Sequence, residues 1–476
     1  KLVHGGLRYL AALDVGLCRE AARERRALLG LAPHLVRTQP FVLPVLRGRR
    51  PAPVVGAALT LADRLAGAGP AERHRRLSAA EVLAAAPALR PDGLTGGFAF
   101  LEARTDDARL VLAVLRAAQR LGAVAVNHAE VRGVEVGRAG VLVSAVDRVS
   151  GAALGLRAGC VVNATGPWSS RTGALAGAPC PPLRPSRGVH VVLPAARLPL
   201  AAACVFPARD GRELFAVPMG GRVLVGTTDV EEPEPDRATV TSGELSYLLD
   251  ALDDAFNAGV GPGDVISAWA GVRPLVAGRR GRRGGTAGVS RRHAVSRKGR
   301  AITVVGGKLT TFRRMARDAV DEACRALGRA PRPAGAVPIA CLDEAAVARI
   351  AARGAGLGLD RAAVAHLLSA YGEGAGGVLD LVEHEPGLAE PLVPDLPTVA
   401  AEAVWAAREE MAVTLADVLD RRLRLALYDA AAGLASPAPE LVARELGWPR
   451  LRLLWEIAAY RAAAIRERGP VPVAAP

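Results

Sequence analysis

AITVVGGKLT, running from Ala301 to Thr310, is the stretch on which the reading of this chain turns. Ala301 to Val305 is a short apolar run rich in β-branched side chains, the pattern of a buried strand. Helical periodicity begins at Thr310 and continues to Leu327. Between them lie only Gly306, Gly307, Lys308 and Leu309, so a strand feeds almost directly into a helix, which is the joint of an α/β unit. Unpaired backbone N–H groups at a helix start, next to a lysine, attract an anion. The same residues also suit a plain glycine-rich turn with its lysine in solvent, and the local pattern does not choose. An ATP-type phosphate loop is excluded, because G-x-x-x-x-G-K-[ST] needs a glycine where Ile302 stands.

Upstream, Gly188 to Val230 is rich in β-branched residues and turn formers, which predicts a mostly antiparallel sheet. Val141–Val146 and Leu154–Ala164 read as a hairpin that ends in Asn163-Ala164-Thr165-Gly166. That small-residue turn either faces a ligand or is a tight bend. Thr105 is an N-cap candidate for a helix that has acids in its first turn and stops at Gly122. A strand is expected from Ala123 towards Val136. The opening residues combine helical periodicity from Leu7 to Leu29 with a proline-punctuated apolar segment, Pro40 to Pro53. At the start, Gly5 and Gly6 permit close backbone approach, and His4 and Arg8 stand four apart. Arg273 sits between turn formers in Gly271-Val272-Arg273-Pro274-Leu275. Downstream, Pro331–Pro338 is a linker candidate, and helical patterns fill the chain after Leu342. The expected division is a body over 1–330, a linker over 331–341, a helical domain over 342–470 and a tail over 471–476.

Composition narrows the function. Half of the 476 residues are hydrophobic, too many for a disordered scaffold. The formal net charge of +14 favours anionic partners, although a solvated basic face gives the same count. Arg279 to Arg300 is basic throughout with no acid, but lacks the interleaved aromatics of a single-strand nucleic-acid platform, so no nucleic acid is expected. Six scattered cysteines without a C-x-x-C pair give no metal site and suit a reducing cytoplasm. No uncharged apolar run reaches the ~18 residues that span a bilayer.

Eight segments, in order, carry a family likeness. They are KLVHGGLRYL at Lys1, TDDARLVL at Thr105, VVNATGPW at Val161 and SRGVHVVLP at Ser186, then VLVGTTDVE at Val223, AWAGVRPLV at Ala268, VVGGKLTTFRRMA at Val304 and REEMAVTLADVLDRRLRLAL at Arg408. Together the series resembles the FAD-dependent, quinone-linked (aerobic) glycerol-3-phosphate dehydrogenases. The resemblance implies an α/β fold: an FAD-dependent oxidoreductase body, with a Rossmann-like FAD domain and an antiparallel-sheet substrate domain, followed by an all-helical C-terminal domain. It implies oxidation of sn-glycerol 3-phosphate to dihydroxyacetone phosphate, with FAD as hydride acceptor and a membrane quinone as the electron sink.

By the same resemblance, Lys1, Leu2, His4, Gly5, Gly6, Val131, Ala164, Thr165, Gly166, Gly306, Gly307, Lys308, Leu309 and Thr310 would hold FAD. Arg8, Arg273 and Lys308 would bind substrate, and His4 and Arg273 would be catalytic, with His190 a second candidate base. Thr227, Thr228 and Asp229 match a family motif to which a structural role is given. Peripheral attachment to an anionic membrane at its cytoplasmic face, and a homodimer, are consistent with this picture. Rival readings are an oxidase that passes electrons to O₂, or a non-catalytic remnant with an anion-binding surface. Members of the family open with a strand, a G-x-G-x-x-G turn and a helix, and none of these occurs from Lys1 onward. The expectation is therefore an N-terminally truncated form that lacks the first βαβ unit and, as written, is poorly soluble or colourless.

Overall fold

Alternation of side chains organises the middle of the chain. The computed structural model describes residues 1–6, 14–277, 292–333, 335, 337–339, 342–428 and 430–471. In chain order its strands begin with β1 (Leu2–Val3), β2 (Val36–Leu46), β3 (Arg75–Leu77) and β4 (Leu94–Thr105). β5 (Ala129–Val136), β6 (Val141–Asp147) and β7 (Ala153–Ala158) form an antiparallel sheet of their own. Then come β8 (Val161–Asn163), β9 (Leu183–Pro194), β10 (Ala203–Pro207), β11 (Glu213–Met219), β12 (Arg222–Gly226), β13 (Val230–Glu231) and β14 (Ser267–Val276). β15 (His293–Lys298) and β16 (Ala301–Gly306) close the series.

The largest sheet has ten strands in the order β1-β4-β2-β10-β11-β12-β9-β13, with β14 on β9 and β3 on β4. It is antiparallel except where β2 meets β10, so the predicted antiparallel floor is present and larger than expected. The pleat of β9 divides its duties. Val189, Val191 and Leu193 are fully buried in the main core, and the alternate positions Gly188 and His190 face the other way. The core side is closed by the helix Ser242–Ala255, whose Leu248 and Leu252 are fully buried, and by Phe206 and Phe256, which meet edge to face at 5.2 Å. Each such side chain contributes about 1.5–3 kcal/mol of burial. A third sheet, β15-β16-β8, contains the parallel pair β16–β8. From Glu344 to Arg468 the regular elements are helices, packed around Leu367, Val378, Leu379, Ala401, Val404 and Leu419.

Several expected boundaries move. Thr105 does not cap a helix: it is the last residue of β4, its amide held by the Lys1 carbonyl at 2.8 Å. Asp106 takes the cap of the helix Asp107–Arg120, accepting from the amides of Ala108 and Arg109. The segment Leu154–Ala164 is two strands rather than one. β7 ends its pairing with β6 at Ala158, and β8 pairs in parallel with β16 instead. The strand expected from Ala123 begins at Ala129. Pro40–Pro53 splits between β2 and the helix Ala52–Ala66. After Lys308 comes one 3₁₀ turn, Leu309–Thr311, before the α-helix Phe312–Ala326. Arg8, the Arg279–Arg291 part of the basic run and the last five residues of the tail lie outside the described residues.

Candidate active site

Two glycine-rich segments some three hundred residues apart meet at one place. β1 pairs with β4, Val3 opposite Ala103, and this sets Gly5 against Glu102. The Gly5 amide donates to Glu102 Oε2 at 2.6 Å, and Arg25 Nη1, from the helix Val15–Leu31, donates to the same oxygen at 2.7 Å. Burial pushes the Glu102 carboxyl above its ordinary range, while Arg25, the Gly5 amide and Lys308 pull the other way. Cys18 Sγ donates to the Gly5 carbonyl at 3.5 Å, and Thr310 Oγ1 donates to the His4 carbonyl at 3.5 Å. The turn His4-Gly5-Gly6 and the junction Gly306-Gly307-Lys308 are thus parts of one site.

Both junction glycines have φ near +75°, a region costly for other residues. A side chain at Gly306 would run into the Arg292 carbonyl, and one at Gly307 into Met315. Lys308 Nζ is buried, which removes the solvent-lysine reading of the junction, and its charge is felt at Glu102 and Cys18. The second expected turn is built by Asn163, whose Nδ2 donates to the Ser169 carbonyl at 2.9 Å. Its Oδ1 accepts from Thr165 Oγ1 at 2.7 Å. Because β8 and β16 are parallel neighbours, the Ala164-Thr165-Gly166 turn and the Gly306–Thr310 junction leave from the same ends of adjacent strands. That is where open α/β sheets bind ligands. Gly166 has φ +57° and open space where a Cβ would stand.

The other face of β9 builds a cationic cluster. Register places His190 opposite both Trp269 and Gly226. The imidazole stacks on the Trp269 indole, centroids 5.2 Å apart and planes 9° from parallel, and it lies where a Gly226 side chain would be. Arg273 likewise lies over Gly188. Its Nη2 donates to Thr227 Oγ1 at 2.9 Å, and its Nη1 to the Thr228 carbonyl at 3.3 Å and Ser186 Oγ at 3.4 Å. Ser186 in turn donates to Asp229. Lys1 Nζ lies 5.9 Å from the Trp269 ring and pairs with Asp107, which Arg424 of the helical domain also contacts. Burial, then the nearby positive charges including Arg273 and Lys1, drives the His190 pKa down to about 3. The ring is therefore neutral at working pH.

Lys1 lies beside Trp269 and His4 is fastened by Thr310, so the segment Lys1 to Gly6 links the His190–Arg273 cluster to the glycine junction. Val131 is apart from them, exposed on β5 of the separate three-stranded sheet. Sequence reasoning missed Glu102, Arg25 and Trp269. The available signal was Glu102 itself, a carboxylate inside the otherwise apolar run GFAFLEA.

Residues 1–313 match the family described as FAD dependent oxidoreductase, and residues 300–452 match the C-terminal domain of alpha-glycerophosphate oxidase. The class is thus a flavin-dependent oxidoreductase with a helical extension. Glycerol-3-phosphate dehydrogenase 2 of Mycobacterium tuberculosis is 34% identical over 475 residues, covering 97% of this chain and 80% of that protein. Its Glycerol-3-phosphate dehydrogenase 1 is 38% identical over 447 residues, covering 90% and 83%. The glycerol-3-phosphate dehydrogenase of Bacillus halodurans, solved with FAD, superimposes with a TM-score of 0.78 at 26% identity, covering 100% of this chain and 88% of the other. This chain belongs to the glycerol-3-phosphate dehydrogenase family of FAD-dependent oxidoreductases.

Proposed function

We propose that the chain oxidises sn-glycerol 3-phosphate to dihydroxyacetone phosphate. The observation that carries this reading is the pairing of a phosphate-suited arginine with a neutral imidazole beside two glycine turns. Arg273 is fixed by Thr227, Thr228 and Ser186, and a guanidinium so held fits a phosphate dianion in two-pronged fashion.

Gly166, with open space where a Cβ would stand, and the turns at Gly5-Gly6 and Gly306-Gly307 would hold FAD, with Lys308 and Thr310 beside it. FAD bound there supplies the hydride acceptor. The buried Lys308 ammonium favours negative charge beside it, and the C2 hydroxyl proton passes to an imidazole. His4, on the turn that Thr310 fastens, is assigned that role. His190, stacked on Trp269 beside Arg273, is the alternative by position, although burial makes it the weaker base of the two.

A quinone is proposed as the electron sink, with O₂ the alternative, and the protein is assigned to the cytoplasmic face of the membrane as a peripheral enzyme. No helix among the described residues is long and apolar enough to span a bilayer. The net charge of +14 supports attraction to an anionic surface. The test is dye reduction by the protein supplied with FAD. Glycerol 3-phosphate should drive it and glycerol should not. Equal rates with both would remove the phosphate from the reading.

A further inference from the structure

At the opposite ends of β16 and β8 from the glycine junction there is a cavity of about 740 Å³. β16 is six residues long, so this cavity is roughly 20 Å away from Lys308 at ~3.3 Å per residue. Four cations line it: Arg138 from the β5–β6 turn, Arg297 at the end of β15, and Lys298 and Arg300 flanking the β15–β16 turn. No carboxylate is among its lining residues.

The way these cations are held matters. Lys298 Nζ donates to the Gly177 carbonyl at 2.8 Å, and Arg300 donates to the carbonyls of Gly159 at 2.8 Å and Arg138 at 3.1 Å. A carbonyl fixes a cation in place without cancelling its charge. Among the described residues only Arg297 of the four meets an acid, Glu322, at 3.0 Å. Val134 and Val136 give the cavity an apolar wall, and strand alternation sends the intervening Glu135 to the other face of β5.

We infer that this cavity is a second anion site, distinct from the catalytic cluster, for a phosphate-bearing ligand with a small apolar part. Two charges anchored by backbone, Lys298 and Arg300, with Arg138 beside them and an apolar wall behind, match a phosphoester joined to a ring or a lipid glycerol. A soluble nucleotide and the headgroup of an anionic phospholipid share that chemistry.

The experiment uses FAD-saturated protein and two probes, ADP by calorimetry and phosphatidylglycerol vesicles by co-sedimentation, with phosphatidylcholine vesicles as the neutral control. The variant is Arg138→Gln with Lys298→Gln, two exposed turn positions, and the charge-keeping pair is Arg138→Lys with Lys298→Arg. The expected result is saturable binding of at least one probe, weakened about tenfold or more by the neutral pair and largely kept by the charged pair. The unfolding temperature and the KM for glycerol 3-phosphate should not change. A loss confined to ADP identifies a soluble phosphoester, and a loss confined to vesicles identifies the headgroup. Binding of both probes unaltered by the neutral pair, or saturable binding of neither, overturns the proposal.

Discussion

Arg109 and Arg273 are both withdrawn from bulk solvent, and the contrast between them separates scaffold from site. Arg109, 5% exposed, donates to both oxygens of Glu410 at 2.7 and 2.8 Å and to the Ala370 carbonyl at 3.0 Å. Its guanidinium also lies 4.1 Å from the Tyr371 ring centroid. All three guanidinium nitrogens donate, and the charge is cancelled where it stands. Such a pair fastens the helix Asp107–Arg120 to the C-terminal helices and has nothing left for a ligand. Arg273 is held by two hydroxyls and a carbonyl, with Asp229 one hydroxyl further on through Ser186. That arrangement fixes the direction of the guanidinium through neutral groups rather than through a two-pronged carboxylate pair. How a buried cation is held, rather than that it is buried, is what we propose separates a substrate-binding arginine from a structural one.

Breaking the scaffold side of the comparison should give the largest effect. Glu410→Ala strands a buried guanidinium, which costs about 3–5 kcal/mol. Denaturant unfolding should show that loss, while the folded fraction keeps its KM for glycerol 3-phosphate. A KM that rises in step with the destabilisation would mean Glu410 belongs to the site after all.

A smaller effect is expected at His34, buried between the body and the helical domain, where Gly372 packs on its ring. Burial, then Arg109 and Arg37, lowers its pKa to about 4. Below about pH 6.5 the unfolded chain takes a proton that the folded one refuses, so stability falls with acidification until about pH 4. The slope is up to ~1.4 kcal/mol per pH unit. His34→Gln should remove that component, and unfolding curves of the two proteins that stay parallel from pH 7 to 4.5 would contradict it. The smallest effect is at an ordinary cap. Asp360 accepts from the Ala363 amide at 2.7 Å, and Asp360→Ala should cost about 1 kcal/mol, read as a modest fall in unfolding midpoint. A loss as large as that of Glu410→Ala would erase the distinction between cap and buried pair.

The parts legible in the sequence were those whose signal is local. A β-branched run before Gly306-Gly307-Lys308, the strand-rich block from Gly188 and the helical pattern after Leu342 each carry their own periodicity, and each appears in the fold. The choice between Thr105 and Asp106 as cap was not local. Both side chains suit the position, and what decides is the β-pairing that draws the Thr105 amide to Lys1. The break after Ala158 was hidden for the same reason, since Val161–Asn163 is a strand only because β16 lies beside it. Glu102 and Arg25 are 77 residues apart, and Arg109 and Glu410 are 301 apart. No spacing rule reaches that far. The roles of Arg273 and His4 came from family resemblance rather than from pattern, and the structure adds the hydroxyl ring that holds Arg273 and the stacked Trp269 that holds His190.

The central claim, that Arg273 is the cation kept for substrate phosphate, is tested most directly by anaerobic reduction of the FAD-loaded protein with glycerol 3-phosphate, comparing wild type with Arg273→Ala. Loss of one charge-assisted contact is worth about 1.5–3 kcal/mol. The wild-type flavin should bleach with saturable dependence on substrate. The variant should need roughly 10- to 150-fold more substrate, with its flavin still bound. A variant that bleaches over the same concentration range as the wild type would contradict the account.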